Sequence, residues 1–371
     1  MHFDIKQGWV PRQFVERSGK AYVEFVDFNN QELKASFLRQ DLERYSRRVF
    51  VELDSLWQYE CSSEFLSQNI KGMIFHMSRC GSTLAANMLR QHRACQVIAE
   101  ADVIGQFLHT FRGPQHELVR HLRLILSLLF HSFCNNNQTL IIKWTSWNIF
   151  IIDAICQAVP SVPLCYLYRE PDEVLVSLTQ NLAEWQDPKL IKRKLNETSN
   201  SFQGSAKSNP YIDLLIRSKA ETASTEEIAA RFIGQCCTAA FESKTPLLMV
   251  PYPSLPEAVF THIAPHMDIE MDGMTKSLAR TESRWNTKTI DQSKVYSSDT
   301  NAKKKRVTPT MRTLIDEHIS QPLESLKQAS TEQFSPVNAK TNSNQENLII
   351  ENQKNNKPEK PIQTKPVVKW L

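Results

Sequence analysis

The sequence predicts an α/β fold with a three-layer α/β/α core around a mainly parallel sheet, a small N-terminal α+β region and a disordered C-terminal tail. Three observations carry this. From about residue 71 to 270, short apolar runs alternate with segments of helical length and periodicity, the pattern of strands buried on both faces and joined by crossover helices. The apolar run Gly72 to Met77 breaks off into Ser78-Arg79-Cys80-Gly81-Ser82-Thr83, a tight turn of small and hydroxyl residues, and an amphipathic helix follows with Leu84, Met88 and Leu89 on one face. Beyond about Lys327 the chain is rich in Asn, Gln, Lys and Pro and contains no glycine, a composition unable to bury a core.

Residues 1–70 read as a leading region. Ala21 to Phe28 alternates like a strand, Asn29-Asn30 is a turn pair, and Leu33 to Phe37 reads as the returning strand of a hairpin. Asp41 is a candidate N-cap for a helix carrying Leu42, Tyr45, Val49, Leu53 and Leu56. No functional reading attaches to this region. The main α/β domain spans 71–327. Its elements are a strand at Gly72, a helix from Ser82, a short strand Val97 to Ala99, helices over 101–112 and 116–134, and a strand Thr139 to Lys143. A helix over 147–158, a strand Leu164 to Tyr168 and a helix from Pro171 follow, the proline standing where helices tolerate it. Helix 226–243 leads into the apolar run Pro246 to Val250 and a further helix after Pro256. The polar stretch 187–224 is expected to be a mobile insertion, and 328–371 is the tail.

Composition narrows the function classes. A hydrophobic fraction of 41% and a charged fraction of 23% over 371 residues suit a soluble globular protein, and a net charge of +4 is too small to argue for nucleic-acid binding. The N-terminus lacks a basic segment running into an apolar one, and the most apolar helix, Leu118 to Phe133, is interrupted by Arg120, Arg123 and His131. The expectation is therefore a cytoplasmic protein without membrane or nucleic-acid partner. The 8 cysteines show neither zinc-ligand nor Cys-x-x-Cys spacing, so free thiols and no metal are expected.

The turn at Ser78 carries chemistry. A strand, a tight turn and a helix N-terminus aim backbone N–H groups and the positive end of the helix dipole at an anion, which makes a P-loop-like phosphate cradle. Gly81 permits close approach, and Ser82 and Thr83 offer hydroxyl donors. The ATPase loop needs a lysine just before its hydroxyl residue; here that position is Gly81, and Arg79 brings the positive charge instead. In open parallel sheets ligands sit at the carboxyl ends of the strands. Lys143-Trp144-Thr145-Ser146-Trp147 and Tyr168-Arg169-Glu170-Pro171, running on to Ser177, follow two such ends.

These segments resemble the sulfotransferase family. Arg79-Cys80-Gly81-Ser82-Thr83-Leu84 is similar to its 5′-phosphosulfate loop. Arg169-x-Pro171 followed by Ser177 is similar to its second signature, about 90 residues on. The resemblance implies a donor, 3′-phosphoadenosine-5′-phosphosulfate (PAPS), as co-substrate without a metal. Ser78, Arg79, Cys80, Gly81, Ser82, Thr83 and Leu84 would wrap its 5′-phosphate, and Arg169 and Ser177 would grip its 3′-phosphate. Glu100 stands where the tyrosylprotein-sulfotransferase branch has its catalytic base, and Lys143 matches a lysine common to both branches. The cytosolic branch's histidine is replaced by Thr145. The family's third donor-binding segment is matched loosely by Tyr296-Ser297-Ser298-Asp299 and Lys303-Lys304-Lys305-Arg306, which implies Lys303 as donor contact. The implied activity is in-line transfer of a sulfuryl group to a hydroxyl acceptor, small molecule or protein, with Glu100, Lys143 and Arg79 as catalytic groups.

Each residue also has a plain structural reading. Glu100 can cap the helix starting near Ala101, Lys143 can be a solvated strand-end lysine, and Arg169 can pair with Glu173 on the surface. Cys80 can be a reactive thiol or a small loop residue, Trp144 and Trp147 can line a pocket or fill the core, and His76 reads as a satisfied core histidine. An ATP-dependent P-loop kinase-like enzyme and a nucleotide-binding scaffold with a decayed site are the alternatives. The acceptor is not legible, because substrate loops vary freely on such folds.

Overall fold

The structure, a computed structural model, describes residues 4–5, 8–29, 31–111, 113–134, 138–180, 223–285 and 300–333. An N-terminal antiparallel sheet joins β1 (Trp9–Arg17), β2 (Lys20–Asp27) and β3 (Arg48–Glu52) in that order. Between them lies α1 (Leu38–Leu42), and α2 (Leu53–Leu56) and α3 (Ser63–Asn69) lead to the main sheet. The expected hairpin is shifted. Lys20–Asp27 pairs back onto Trp9–Arg17 through Ser18-Gly19, whose left-handed φ values (51° and 74°) suit a tight turn. Leu33 to Phe37 is not a strand. Asp41 is not an N-cap: it lies inside α1, and its carboxylate accepts from the Lys34 and Ala35 N–H groups, bracing that turn. Val49 belongs to β3 rather than to a helix, because pairing with β2 overrides the helical spacing.

The central sheet follows the expected pattern: β4 (Ile70–His76), α4 (Ser82–Leu89), β5 (Cys95–Ala99), α5 (Asp102–Thr110), α6 (Gln115–Phe133), β6 (Thr139–Lys143), a 3₁₀ stretch Ser146–Ile151 and α7 (Ile152–Ala158), β7 (Leu164–Tyr168), α8 (Pro171–Gln180), α9 (Thr225–Phe241) and β8 (Leu248–Pro251). A π-helical turn Val259–Ile263 runs into α10 (Ala264–His266), followed by α11 (Gly273–Glu282), α12 (Thr300–Lys304), α13 (Pro309–His318) and α14 (Ser320–Gln333). All pairings in the sheet are parallel, in the order β5-β6-β4-β7-β8, and helices flank it. The strands are largely apolar because both faces are covered; all five residues of β7 are buried. α6 is a core helix, with Leu122 and the run Leu124 to Phe130 buried.

The chain runs from β4 out to β5 on one side, returns through β6, then crosses to β7 on the other. The turn after β4 therefore lies at the topological switch point, flanked by the ends of β6 and β7. One contiguous apolar core includes Val10, Val23 and Phe25 of the N-terminal sheet together with the strands of the main one. Helix α14 continues to Gln333, past the expected start of the tail at 328, since it packs against α9 and β8 and Leu323 and Leu326 are buried. The expected insertion at 187–224 lies almost wholly outside the described residues, as does Tyr296-Ser297-Ser298-Asp299. Among the described residues no helix is long and apolar enough to cross a membrane, all eight cysteines are free, and no group of His, Cys, Asp or Glu is gathered as a metal site.

Candidate active site

Every strand of the main sheet ends in a residue that faces the switch point. β4 ends in His76 and the turn Met77 to Gly81, β5 is followed by Glu100, β6 ends in Lys143, β7 is followed by Arg169 and β8 by Tyr252. The topology brings together residues that the sequence keeps as much as 176 apart.

The turn is strained and held. Ser78 (φ 80°), Arg79 (φ 50°) and Gly81 (φ 85°) adopt left-handed conformations, and so does Glu100 (φ 52°). Only glycine does this freely; an L side chain costs on the order of 1–2 kcal/mol. Such residues persist where surroundings over-determine them. The Ser78 N–H donates to His76 Nδ1 at 3.0 Å, the Arg79 carbonyl accepts from Arg169 Nη1 at 3.5 Å, and the Glu100 N–H donates to the Lys143 carbonyl at 2.8 Å. At Gly81, a Cβ would come within 2.8 Å of both Tyr252 and Leu255, so the position excludes side chains by sterics as well as by conformation. Gly81 is the N-cap of α4, whose first-turn N–H groups at Ser82, Thr83 and Leu84 lie beyond the reach of the helix's own carbonyls. A turn so built presents N–H donors and a helix dipole to an anion.

Cys80 does not face that anion position. Its Sγ is fully buried and donates to the Leu167 carbonyl at 3.1 Å, and burial pushes the thiol up to about 12. Of the two readings of Cys80, the small loop residue is the one the burial favours: desolvation outweighs the neighbouring positive charge.

Glu100 and Lys143 form a charged pair. Lys143 Nζ donates to Glu100 Oε1 and stands 5.2 Å from the Phe37 ring, so the N-terminal region supplies one wall of the site. Lys143 is 1% exposed, which rules out the solvated-lysine reading. Burial alone would raise the Glu100 carboxyl; Lys143 and His76 outweigh it and hold the group at about 2. His76 Nε2 is 3.6 Å from the same oxygen and 3.0 Å from the Trp144 carbonyl. Because Nδ1 accepts from Ser78, the proton sits on Nε2. Burial and Lys143 depress the His76 pKa, in keeping with a neutral ring. Arg79 is half-buried, its pKa lowered by burial and raised by Glu100 nearby.

Arg169 pairs with Glu173, as its structural reading had it, but in the interior rather than on the surface; the two are 6% and 5% exposed. Arg169 Nε donates to Glu173 Oε2 at 2.9 Å, Nη2 donates to the same oxygen, and the guanidinium stacks 3.9 Å over the Tyr252 ring. It therefore touches both the turn, through the Arg79 carbonyl, and the tyrosine packed on Gly81. Ser177 is buried two turns along α8. Lys303 is buried in α12, which packs on α8, and the Thr300 hydroxyl donates to Glu173 Oε2 at 2.8 Å. Trp144 lies in the core, stacked on Phe75 at 5.8 Å, and Trp147 packs against Phe232 at 4.3 Å, in keeping with the core reading of both. Thr145 spends its N–H and hydroxyl on Asn148, as the cap of the 3₁₀ stretch.

Two residues of the site escape the reading of the sequence: His76 reads as core because it closes an apolar strand, and Tyr252 follows the fifth strand without a motif to mark it. Glu173 is legible as the partner of Arg169, but its burial has no local signal. Position immediately after a strand would have found the tyrosine.

The fold and the strand-end residues define an α/β protein with a charged site at its switch point. No family model matches the chain, and no curated protein matches it. Among solved structures, the sulfotransferase STF9 from Mycobacterium avium shares 12% identity over 71% of this chain and 78% of that one, with a TM-score of 0.39. The sulfotransferase domain from the curacin biosynthetic pathway shares 13% over 70% and 96% (TM-score 0.36). The sulfotransferase domain of the Synechococcus PCC 7002 olefin synthase shares 17% over 71% and 94% (TM-score 0.32). Likeness of this size carries no argument about activity, which rests on the residues.

Proposed function

We propose that the protein transfers a sulfuryl group from PAPS to a hydroxyl acceptor. The observation that carries the reading is the convergence, at one switch point, of a left-handed Ser78–Gly81 turn, the buried Glu100–Lys143 pair and Arg169. The turn and the first turn of α4 suit the 5′-phosphosulfate; Arg169, with Ser177 and Lys303 along α8 and α12, suits the 3′-phosphate.

In this reading the acceptor oxygen attacks sulfur while the bond from sulfur to the bridging oxygen breaks. The electron pair stays on the 5′-phosphate, and the acceptor proton passes to Glu100. The loose transition state calls for positioning and charge stabilisation more than covalent chemistry. Lys143 sets the timing. While it donates to Glu100 the carboxylate, held at about 2, is a weak base near neutral pH. Turning its ammonium to the bridging oxygen stabilises the leaving group and, by the same movement, restores proton affinity to Glu100.

The test is donor cleavage, with water or an added hydroxyl compound as acceptor, followed by release of adenosine 3′,5′-bisphosphate. Glu100→Gln is expected to lower turnover by about 10²–10⁴-fold while leaving donor binding in place. Turnover of ATP with Mg²⁺ and none of PAPS would support the kinase reading instead.

A further inference from the structure

We propose that His76 is a positioning residue of this site, locking the phosphate-facing turn to the Glu100–Lys143 pair through its two ring nitrogens; the assignment of a donor to that turn rests on the function proposed above. The geometry is specific. His76 closes β4, the central strand, and is 5% exposed. On one side Nδ1 accepts the Ser78 N–H at 3.0 Å. On the other, Nε2 donates to the Trp144 carbonyl at 3.0 Å, one residue past Lys143 on β6, with Glu100 Oε1 at 3.6 Å. One ring thus ties the ends of β4 and β6 to the entry of the turn and stands beside the residue that follows β5.

The Ser78 bond matters because Ser78 is the first of the left-handed residues. Holding its N–H fixes the peptide plane from which Arg79, Cys80 and Gly81 depart. A side chain without an acceptor there would remove the bond that holds a non-glycine residue in this costly conformation. The Nε2–H matters differently. At 3.6 Å its contact with Glu100 Oε1 is long while Lys143 holds that carboxylate. Once Lys143 turns to the donor, Nε2–H still stands beside Glu100, with Arg79 also near, and keeps the carboxylate aimed. The groups facing the ring, Glu100 and Lys143, leave no role for a second positive charge, so the imidazole acts neutral and in a single tautomer.

The two nitrogens can be separated by substitution, since Asn places an acceptor near the Nδ1 position and Gln places a polar group near Nε2. Affinity for adenosine 3′,5′-bisphosphate is expected to fall tenfold or more in His76→Gln and to recover to within about threefold of wild type in His76→Asn. His76→Asn is also expected to show slowed donor cleavage, because Asn does not reach the place of Nε2–H beside Glu100. Equal binding by Asn and Gln variants, or wild-type cleavage in both, overturns the proposal. Nitrogen-15 spectra of the wild-type chain provide an arm independent of variant folding: an unprotonated Nδ1 and a protonated Nε2 are expected, and the opposite tautomer overturns the anchor. If wild-type protein binds no adenosine 3′,5′-bisphosphate, the donor reading falls, and the tautomer still decides whether His76 holds the turn.

Discussion

Arg169 and Glu173 occupy a setting in which neither can be removed cheaply. Both are almost completely buried, and Glu173 Oε2 receives Arg169 Nε and Nη2 together with the Thr300 hydroxyl. Truncating one partner leaves an uncompensated buried charge, so Glu173→Ala is expected to cost about 3–5 kcal/mol in denaturant unfolding, with Glu173→Gln costing less. An Ala variant as stable as wild type would show the pair to be solvated. A pH prediction follows from Glu100 and His76. The Glu100 carboxyl, ordinarily at 4.5, is held at about 2, so its stabilising effect is complete above 4.5 and is lost as pH falls through about 2. His76, lowered from 6.5, stays neutral in the fold while the unfolded chain takes up a proton, so stability also declines as pH drops below 6.5. His262 and His266, lowered by burial, share that upper window, and His76→Asn is expected to remove only its own part of the decline. A stability curve unchanged by the substitution between pH 6.5 and 5 would contradict this. At this scale the sequence made the charged groups legible, because Glu100, Lys143 and Arg169 each follow an apolar strand. It hid their surroundings, since the burial of Glu173 and the approach of His76 to Trp144 and Glu100 exist only once the strands are side by side.

Among the elements, the five core strands were the most legible, and β6 and β7 have the expected ends, Thr139 to Lys143 and Leu164 to Tyr168. A strand covered on both faces is apolar along most of its length, so its course shows in composition. The N-terminal sheet is different. Helical spacing from Leu42 to Leu56 competes with pairing to β2, and the pairing wins. Two glycines show how closely the elements pack. In α9, a Cβ at Gly234 would run into the His318 carbonyl of α13. Ala normally favours a helix interior over Gly by roughly 0.5–1 kcal/mol. Here overpacking against backbone is expected to reverse the sign, with Gly234→Ala destabilising by about 1–3 kcal/mol in thermal or chemical unfolding. A gain in stability would mean that α9 and α13 are farther apart than described. Gly81→Ala combines a left-handed φ with contact against Tyr252 and Leu255. It is expected to disturb the anion-facing turn more than the fold: ligand affinity should drop at least tenfold while the unfolding midpoint moves by only a few degrees.

For the whole molecule, the strand order β5-β6-β4-β7-β8 is what converts scattered residues into a site. It places the turn after the central strand between Lys143 and Arg169, with Glu100 beyond Lys143 and Tyr252 beyond Arg169. The alternation of strands and helices predicted the sheet, and the rule that ligands gather at strand ends predicted where to look. The contribution of Phe37 and the docking of α12 on α8 through Thr300 depend on long-range packing and left no trace in local pattern. The proposed function requires this arrangement to hold a 3′-phosphorylated adenosine nucleotide. Calorimetric titration with adenosine 3′,5′-bisphosphate, against 5′-AMP and with Arg169→Ala alongside, measures this. Micromolar binding is expected, with discrimination against 5′-AMP of tenfold or more and loss of that discrimination in an Arg169→Ala variant shown to be folded. Absence of binding to the intact, folded protein, or equal affinity for both nucleotides, would contradict it.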